Sequence, residues 1–159
     1  MTFYSFDTSS LLNGRRDLLP PITFPTLWSR IEAMIEAGDI RCVDVVREEL
    51  ARREDDVHQW ARAQAGLFEP LGADIQSAVR EVLASHPRLV GIGSGRSGAD
   101  PFVIAFAAAR DGVVVTEETP SGNLSKPKIP DVCDAMGVRW LNLIGFIREQ
   151  GWTFRGAAM

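Results

Sequence analysis

The sequence of 159 residues is poor in the residues that build disulfide frameworks and zinc sites. Its two cysteines, Cys42 and Cys133, are far apart and neither belongs to a C-x-x-C pair. A disulfide framework or a zinc site therefore has no support, and both cysteines are interpreted as small buried apolar side chains. The two histidines, His58 and His86, fit no metal-ligand spacing, and no serine–histidine–acid arrangement can be assembled.

Long apolar segments are also lacking. The longest apolar run, Pro101 to Ala109, is about half of the roughly 20 residues that a helix needs to cross a bilayer. The N-terminus has no basic segment leading into a long apolar one, as a secretory signal would. We therefore expect a cytoplasmic protein with no membrane partner.

An excess of positive charge is missing as well. The formal net charge is −4, which argues against a protein that coats nucleic acid with a basic surface. Only Lys126 and Lys128 among the 17 basic residues are lysines, and although guanidinium groups suit forked phosphate contacts, a composition bias explains the many arginines equally well. With 45% hydrophobic and 24% charged residues, the chain is expected to form one globular domain over residues 1–159.

Segments typical of strands and helices alternate along most of the chain. Strands are predicted at Thr2 to Phe6, Ile40 to Val43, Val113 to Thr116 and Val138 to Leu143. Helices are predicted from Leu27 to Gly38, Val45 to Arg53, Asp55 onward, Ala73 to Ser85, Asp100 to Arg110, Asp131 to Met136 and Ile144 to Gln150. Thr8 to Ser10 is interpreted as a polar turn. This alternation indicates an α/β domain with a mostly parallel sheet.

Acidic residues stand where the predicted strands end, which is where parallel sheets bind their ligands. Those next to strand ends or helix starts are Asp7, Glu117, Glu118 and Asp100. In the helix after the second strand, a rotation of about 100° per residue places Glu49 on the apolar face and turns Glu48 away. Each of these acids alone is more often a turn former or a helix cap than part of a site.

Their joint placement changes that interpretation. Carboxylates gathered at one edge of a sheet repel one another and take up protons unless a cation compensates their charge. A cluster of oxygen ligands without histidine or cysteine suits Mg²⁺ or Mn²⁺. Such sites serve phosphoester hydrolysis, in which the metal activates water, so no protein nucleophile is required.

Four acidic motifs follow one another along the chain. They are Phe6-Asp7-Thr8-Ser9-Ser10, Val46-Arg47-Glu48-Glu49-Leu50, Ala99-Asp100-Pro101-Phe102-Val103-Ile104-Ala105 and Val115-Thr116-Glu117-Glu118. In this order they are similar to the acidic motifs of the PIN-domain ribonucleases, and the chain resembles that family over nearly its whole length. The segment Lys128-Ile129-Pro130-Asp131-Val132-Cys133, followed by Gly137-Val138, resembles a bacterial PIN-like branch related to VapC-type toxins. The resemblance implies a three-layer α/β/α sandwich.

The resemblance also implies the residues of the site. The catalytic and metal-binding acids would be Asp7, Glu49, Asp100 and Glu118. Glu118 departs from the aspartate usual in the family, so Glu117 remains an alternative for the fourth acid. The hydroxyls of Ser9 and Thr116 would support carboxylates or metal-bound water, or else satisfy their own backbone turns. Residues expected in loops, where they could contact substrate phosphates, are Arg15, Arg16, Lys126 and Lys128; for each, a solvated surface charge is the simpler interpretation.

The function implied is that of a Mg²⁺- or Mn²⁺-dependent endoribonuclease, the toxin of a toxin–antitoxin pair. Its expected partners are an RNA substrate, a cognate antitoxin and a second copy in a homodimer. Two alternatives stay open. Gly93-Ser94-Gly95-Arg96-Ser97-Gly98 matches the dinucleotide-binding G-x-G-x-x-G pattern, although Asp100 would repel a pyrophosphate there. A catalytically silent PIN-like binding module would carry the same acids splayed apart.

Overall fold

Five parallel strands form the centre of the protein. The computed structural model describes residues 2–52, 55–89 and 98–155. Its strands are β1 (Tyr4–Phe6), β2 (Ile40–Val43), β3 (Phe68–Glu69), β4 (Val113–Val115) and β5 (Arg139–Leu141). They lie in the order β3-β2-β1-β4-β5, with Ser5 opposite Arg41 on one side and Val114 on the other. Because every pairing is parallel, the carboxyl ends of all five strands meet at one edge.

Eight α-helices are formed by the described residues. They are α1 (Thr8–Asn13), α2 (Pro25–Ala37), α3 (Asp44–Ala51), α4 (Asp56–Ala63), α5 (Ala73–Ser85), α6 (Asp100–Ala109), α7 (Ile129–Met136) and α8 (Leu143–Gln150). A π-helical turn follows α1 at Gly14–Leu18, and a 3₁₀ turn lies at Pro87–Leu89. Within the described ranges, no helix is both long and apolar enough to cross a membrane.

The alternation of side chains along β1 separates the two helical layers. Tyr4 and Phe6 point to α8, where both pack edge-on against the ring of Phe146 with centroid separations of 4.8 and 5.2 Å. The intervening Ser5 points to the opposite face, where its hydroxyl donates to the carbonyl of Val103 in α6 at 3.0 Å. Since successive strand residues face opposite sides, α6 and α8 cover opposite faces of the sheet.

Local sequence signals explain where several helices begin and end. Pro25 opens α2, a position where the missing amide hydrogen costs nothing, and Gly38 ends it in the left-handed conformation with a φ of 89°. Asp55 caps α4 by accepting hydrogen bonds from the amides of Val57 and His58. The apolar positions predicted for these helices are the ones that enter the core.

The α/β/α sandwich with a parallel sheet is confirmed, two local expectations are corrected, and one strand was not predicted. Thr8 to Ser10 is the first turn of α1 rather than a turn between elements. Arg15 and Arg16 belong to the π-helical turn, not to a loop. Strand β3 has only two residues, too few for a periodicity signal, and exists because it pairs with β2. Residues 90–97, which include most of the glycine-rich motif, lie outside the described residues.

Gly112 lies between α6 and β4, at a point where the backbone packs closely against Phe3. A Cβ built on Gly112 would lie 2.5 Å from the backbone oxygen of Phe3, which itself accepts the Val113 amide at 2.8 Å. Gly112→Ala should lower the free energy of unfolding by about 1–3 kcal/mol, because the clash is with backbone. Urea denaturation would measure this loss, with Gly98→Ala as the control because its Cβ meets nothing within 4 Å. Equal stability of the two variants would contradict the expectation.

Candidate functional site

Asp7 lies where the central strand β1 ends and α1 begins. Its amide continues the sheet by donating to the carbonyl of Val115 at 2.9 Å. Its own carbonyl accepts the hydroxyl of Ser10 at 2.6 Å, which closes the first turn of α1. The residue is 4% exposed. The backbone therefore holds the Asp7 carboxylate rigidly at the carboxyl edge of the sheet, between β2 and β4.

Two hydroxyl groups hold the Asp7 carboxylate from the side of β4. The Ser9 hydroxyl donates to Asp7 Oδ2 at 2.7 Å and accepts the Glu117 amide at 3.0 Å. The Thr116 hydroxyl donates to the same oxygen at 2.9 Å and accepts the Glu118 amide at 3.1 Å. Because each hydroxyl accepts from an amide, its own hydrogen is directed at the carboxylate. Ser9 and Thr116 thus link Asp7 to the segment that follows β4.

Burial dominates the electrostatics of Asp7. Its pKa is raised because desolvation disfavours the charged form, and this outweighs the hydrogen bonds from Ser9 and Thr116, which act in the opposite direction. Buried polar groups of this kind are costly unless their charge is compensated. The hydrogen bonds to Asp7 therefore do not fully offset the cost of burying its charge.

Glu49 is the second carboxylate of the site. It lies on the inner side of α3, half-buried, whereas Glu48 is exposed, as the helical phase predicted. Its Oε2 accepts the hydroxyl of Thr8, the residue next to Asp7. Its Oε1 is buried and makes no hydrogen bond of normal geometry within the described ranges, although the backbone of Ala99 lies near enough to favour the charged form. Burial and the charge of Asp7 raise the pKa of Glu49.

Asp100 begins α6, on the side of the sheet that β1 reaches through Ser5. It is 7% exposed, and α6 packs against the strands β1, β2 and β4. The preceding residue, Ala99, is the one whose backbone approaches Glu49. The start of α6 therefore adjoins the pair formed by Asp7 and Glu49.

The two consecutive acids after β4 have different surroundings. Glu117 Oε1 accepts the amide of Leu143, the first residue of α8, at 2.6 Å. Glu118 Oε2 accepts the amide of Ile129, the first residue of α7, over a longer 3.4 Å. The Glu118 amide and Asp7 Oδ2 contact the same Thr116 hydroxyl, so the two residues adjoin. Burial raises the pKa of the nearby Cys133 thiol, and the charges of Asp134, Glu118 and Asp7 raise it further.

The arrangement has some of the properties of a metal centre. All of its candidate ligands are carboxylate oxygens, the donors that Mg²⁺ and Mn²⁺ prefer. The raised pKa values of Asp7 and Glu49 and the unsatisfied Glu49 Oε1 fit a cation at this place. Across residues 2–52, 55–89 and 98–155, however, no three acidic, histidine or cysteine side chains are grouped closely enough to hold an ion.

A family comparison identifies the chain. A model described as a domain of unknown function, DUF4411, matches residues 4–154. The chain belongs to the DUF4411 family. A comparison with curated protein sequences gave no significant match.

Solved structures show that the DUF4411 chain has a VapC-like PIN-domain fold. VapBC2 from Rickettsia felis, bound to a DNA fragment from its promoter, matches with a TM-score of 0.53 and 11% identity, covering 89% of this chain and 98% of that one. FitAcB from Neisseria gonorrhoeae matches with a TM-score of 0.54 and 16% identity, covering 88% of this chain and 97% of that one. VapBC-1 from nontypeable Haemophilus influenzae matches with a TM-score of 0.54 and 13% identity, covering 89% of this chain and 98% of that one. At these identities the likeness concerns the fold.

The two basic residues Arg15 and Arg16 of the DUF4411 protein differ in burial and in their contacts. The Arg15 guanidinium packs against the rings of both Trp28 and Trp60, 4.7 and 4.2 Å from their centroids. Burial lowers the pKa of Arg15 to about 10. Arg16 lies 3.9 Å from Asp55 in an exposed ion pair. Arg15 is therefore packed in the structure rather than presented on a loop.

Lys126 and Lys128 lie between β4 and α7. Lys126 is exposed, and Lys128 is the half-buried residue that precedes α7. Both belong to the segment that connects Glu118 to α7.

Sequence reasoning missed two residues that organise the site. Thr8, interpreted as part of a turn, holds Glu49 next to Asp7. Asp131, seen only as part of a motif, accepts hydrogen bonds from the loop after Glu118. A capping pattern, with an acid three residues after Lys128 at the start of a helix, was the available signal for Asp131.

The hydroxyl of Thr116 should stabilise the fold through Asp7. Thr116→Val keeps the shape of this fully buried side chain but removes two hydrogen bonds, the one donated to Asp7 Oδ2 and the one accepted from the Glu118 amide. The free energy of unfolding in EDTA at pH 7 should fall by about 2 kcal/mol. Thr119→Val, at an exposed position of the same segment, is the control and should change little. A loss no larger than that of the control would show that the Thr116 hydroxyl does not support Asp7.

Proposed function

We propose that this DUF4411 protein is a Mg²⁺- or Mn²⁺-dependent endoribonuclease and the toxin component of a toxin–antitoxin pair. The observation that carries the proposal is the pair of neighbouring carboxylates formed by the buried Asp7 and the half-buried Glu49. Both have raised pKa values, and Glu49 Oε1 makes no hydrogen bond of normal geometry among the described residues. Withdrawing two neighbouring carboxylates from water is costly to a fold, so their presence favours a role that needs a cation.

Each residue of the site has a distinct role in this proposal. Asp7 and Asp100 are the principal ligands, and Glu49 and Glu118 complete the site directly or through water. When bound, the divalent ion activates water for attack on phosphorus and offsets the charge of the phosphodiester. Ser9 and Thr116 direct their hydrogens at Asp7 Oδ2 and so hold that carboxylate in one orientation.

The substrate and the partners follow from the same proposal. Lys126 is exposed on the loop that follows Glu118, and in this proposal Lys126, Lys128 and Arg16 would contact RNA phosphates. Arg15 contributes chiefly by packing against two tryptophans. The similarity to VapBC and FitAB structures supports a cognate antitoxin as partner. We also propose that two copies of the chain form a homodimer, which light scattering would detect as a doubled molecular mass.

A silent binding module is the second candidate. It is favoured by one observation: the described acids do not form a closed group of three around one point. In that case the chain would bind its partner or RNA without cleaving it. Titration with Mn²⁺ separates the two candidates, because a silent module with splayed acids would not bind the ion.

Substitution of the principal ligands tests the nuclease. Asp7→Asn and Asp100→Asn should each abolish Mn²⁺-dependent RNA cleavage, because each removes a charged oxygen ligand without changing side-chain size. Circular dichroism should show an intact fold, and in EDTA Asp7→Asn should be at least as stable as the wild type since a buried charge is gone. Cleavage retained in both variants would rule out the site. Binding of NAD, measured beside cleavage, would instead favour the dinucleotide alternative.

Glu48 and Glu49 are neighbours on α3 that face different sides, so substitution of Glu48 is a control for substitution of Glu49. Glu49→Gln should weaken Mn²⁺ binding by about 10-fold or more in calorimetric titration, because Glu49 faces Asp7. Glu48→Gln should have little effect since this residue is exposed. The reverse ranking would place the wrong face of α3 at the site.

Glu117 and Glu118 form a second pair. Glu118→Gln should weaken Mn²⁺ binding, whereas Glu117→Gln should chiefly lower stability, by about 1 kcal/mol, because it weakens the charge-assisted bond to the Leu143 amide. Calorimetry and urea denaturation measure the two effects. A larger loss of Mn²⁺ affinity in Glu117→Gln would make Glu117 the fourth acid.

A further inference from the structure

One buried carboxylate outside the acid cluster organises the loop between β4 and α7. Asp131 is 8% exposed and lies in the first turn of α7. Its Oδ1 accepts the amides of Ser121 at 3.1 Å and Gly122 at 3.0 Å. Its Oδ2 accepts the Ser121 hydroxyl at 2.7 Å, the Ser121 amide at 3.0 Å and the Lys128 amide at 2.8 Å. Both ends of the loop are therefore fastened to the same side chain.

The Ser121 hydroxyl, which donates to Asp131, also contacts the backbone in the middle of the loop. It lies 3.3 Å from the carbonyl of Asn123 and 3.2 Å from that of Lys126, and it accepts the Asn123 amide at 3.2 Å. The loop has no helix or strand of its own over these residues. Its shape consequently depends on polar contacts that converge on Asp131.

The loop is connected directly to the candidate site. It leaves β4 through Glu118, whose amide is held by Thr116 and whose Oε2 accepts the Ile129 amide. Ile129 is the neighbour of Lys128, the residue whose amide Asp131 holds. A displacement of the Asp131 contacts would thus move the backbone that Glu118 rests on.

Hydrogen bonds stabilise the ionised form of Asp131. Although burial acts against it, the hydrogen bonds from the Lys128 amide, the Ser121 hydroxyl and the amides of Ser121 and Gly122 lower its pKa to about 2. A folded-state pKa below the unfolded value means that this stabilisation is complete above about pH 4 and is lost as the pH falls toward 2. Asp131 is therefore a carboxylate used for structure, unlike Asp7 and Glu49, whose pKa values are raised.

We infer that Asp131 is a positioning residue for the candidate site: by fastening the loop at Ser121, Gly122 and Lys128, it sets the place of Glu118 beside Asp7. The inference rests on the proposed function for the chemistry that Glu118 serves. Asp131 itself does not bind the ion, because both of its oxygens are occupied by hydrogen-bond donors of the loop.

The test compares Asp131→Asn with Asp134→Asn in the full chain. Asp134 lies on the same helix but is exposed, and its carboxylate accepts only the Trp140 indole among the hydrogen bonds described for it. Two quantities are measured under conditions where circular dichroism shows both variants folded. One is Mn²⁺ affinity by calorimetry. The other is hydrogen exchange of the Ile129 amide, which is held by Glu118 and not by Asp131.

The expected result is an increase of about 10-fold in the Mn²⁺ dissociation constant and in the exchange rate at Ile129 for Asp131→Asn, with neither change in Asp134→Asn. RNA cleavage should fall in parallel and recover at saturating Mn²⁺. Ser121→Ala removes one hydroxyl contact and leaves the amides, so it should give a smaller change in the same direction. It also replaces Asp131→Asn if that variant does not fold.

The outcomes separate the inference from the function on which it rests. Faster exchange at Ser121, Gly122 and Lys128 with unchanged exchange at Ile129 and unchanged Mn²⁺ affinity would overturn the positioning role and leave a purely structural one. If the wild type binds no Mn²⁺, the proposed function fails. The exchange rate at Ile129 then still decides whether Asp131 sets the place of Glu118.

Discussion

The structure of the site depends on a charged group that the fold buries at the end of its central strand. Asp7 is almost inaccessible to water, yet two hydroxyl groups and the first amides of α1 favour its ionised form. Burial still prevails, and the pKa of Asp7 is raised. A protein under selection for stability alone has no reason to keep such a residue, since an apolar side chain there would avoid the cost. The conflict between burial and hydrogen bonding is thus a local sign of function.

The remaining acids fall into two groups. In one, burial outweighs the hydrogen bonds, as in Asp7; in the other, hydrogen bonds from backbone amides stabilise the carboxylate. Glu49 belongs to the first group, because its pKa is also raised and its Oε1 lacks a normal hydrogen bond among the described residues. Glu117 and Asp131 belong to the second group, because they accept backbone amides at the starts of α8 and α7. Helix starts supply unpaired amides, so an acid there stabilises the fold. Glu118 has features of both groups, since its Oε2 accepts the Ile129 amide of α7 while its own amide shares the Thr116 hydroxyl with Asp7.

The parallel sheet explains how residues from distant parts of the chain come together. In a parallel sheet all strands end at the same edge, so a residue after β1 and one after β4 meet although 109 positions separate Asp7 from Thr116. VapBC and FitAB structures share this fold, although only 11–16% of their residues are identical to those of this chain. A fold can persist at such identity because core positions accept many apolar side chains of similar volume.

The sequence by itself determined the fold class, the helical phase of Glu49 and the acids at strand ends, because these follow from local periodicity and from the alternation of strands and helices. It did not determine β3, the helical start at Thr8, the packing of Arg15 against Trp28 and Trp60, or the loop contacts of Asp131. These features depend on partners brought together by the sheet and its helical layers. Only the tertiary structure could decide which acids satisfy backbone amides and which are left with the cost of a buried charge, since that depends on neighbours no local pattern specifies.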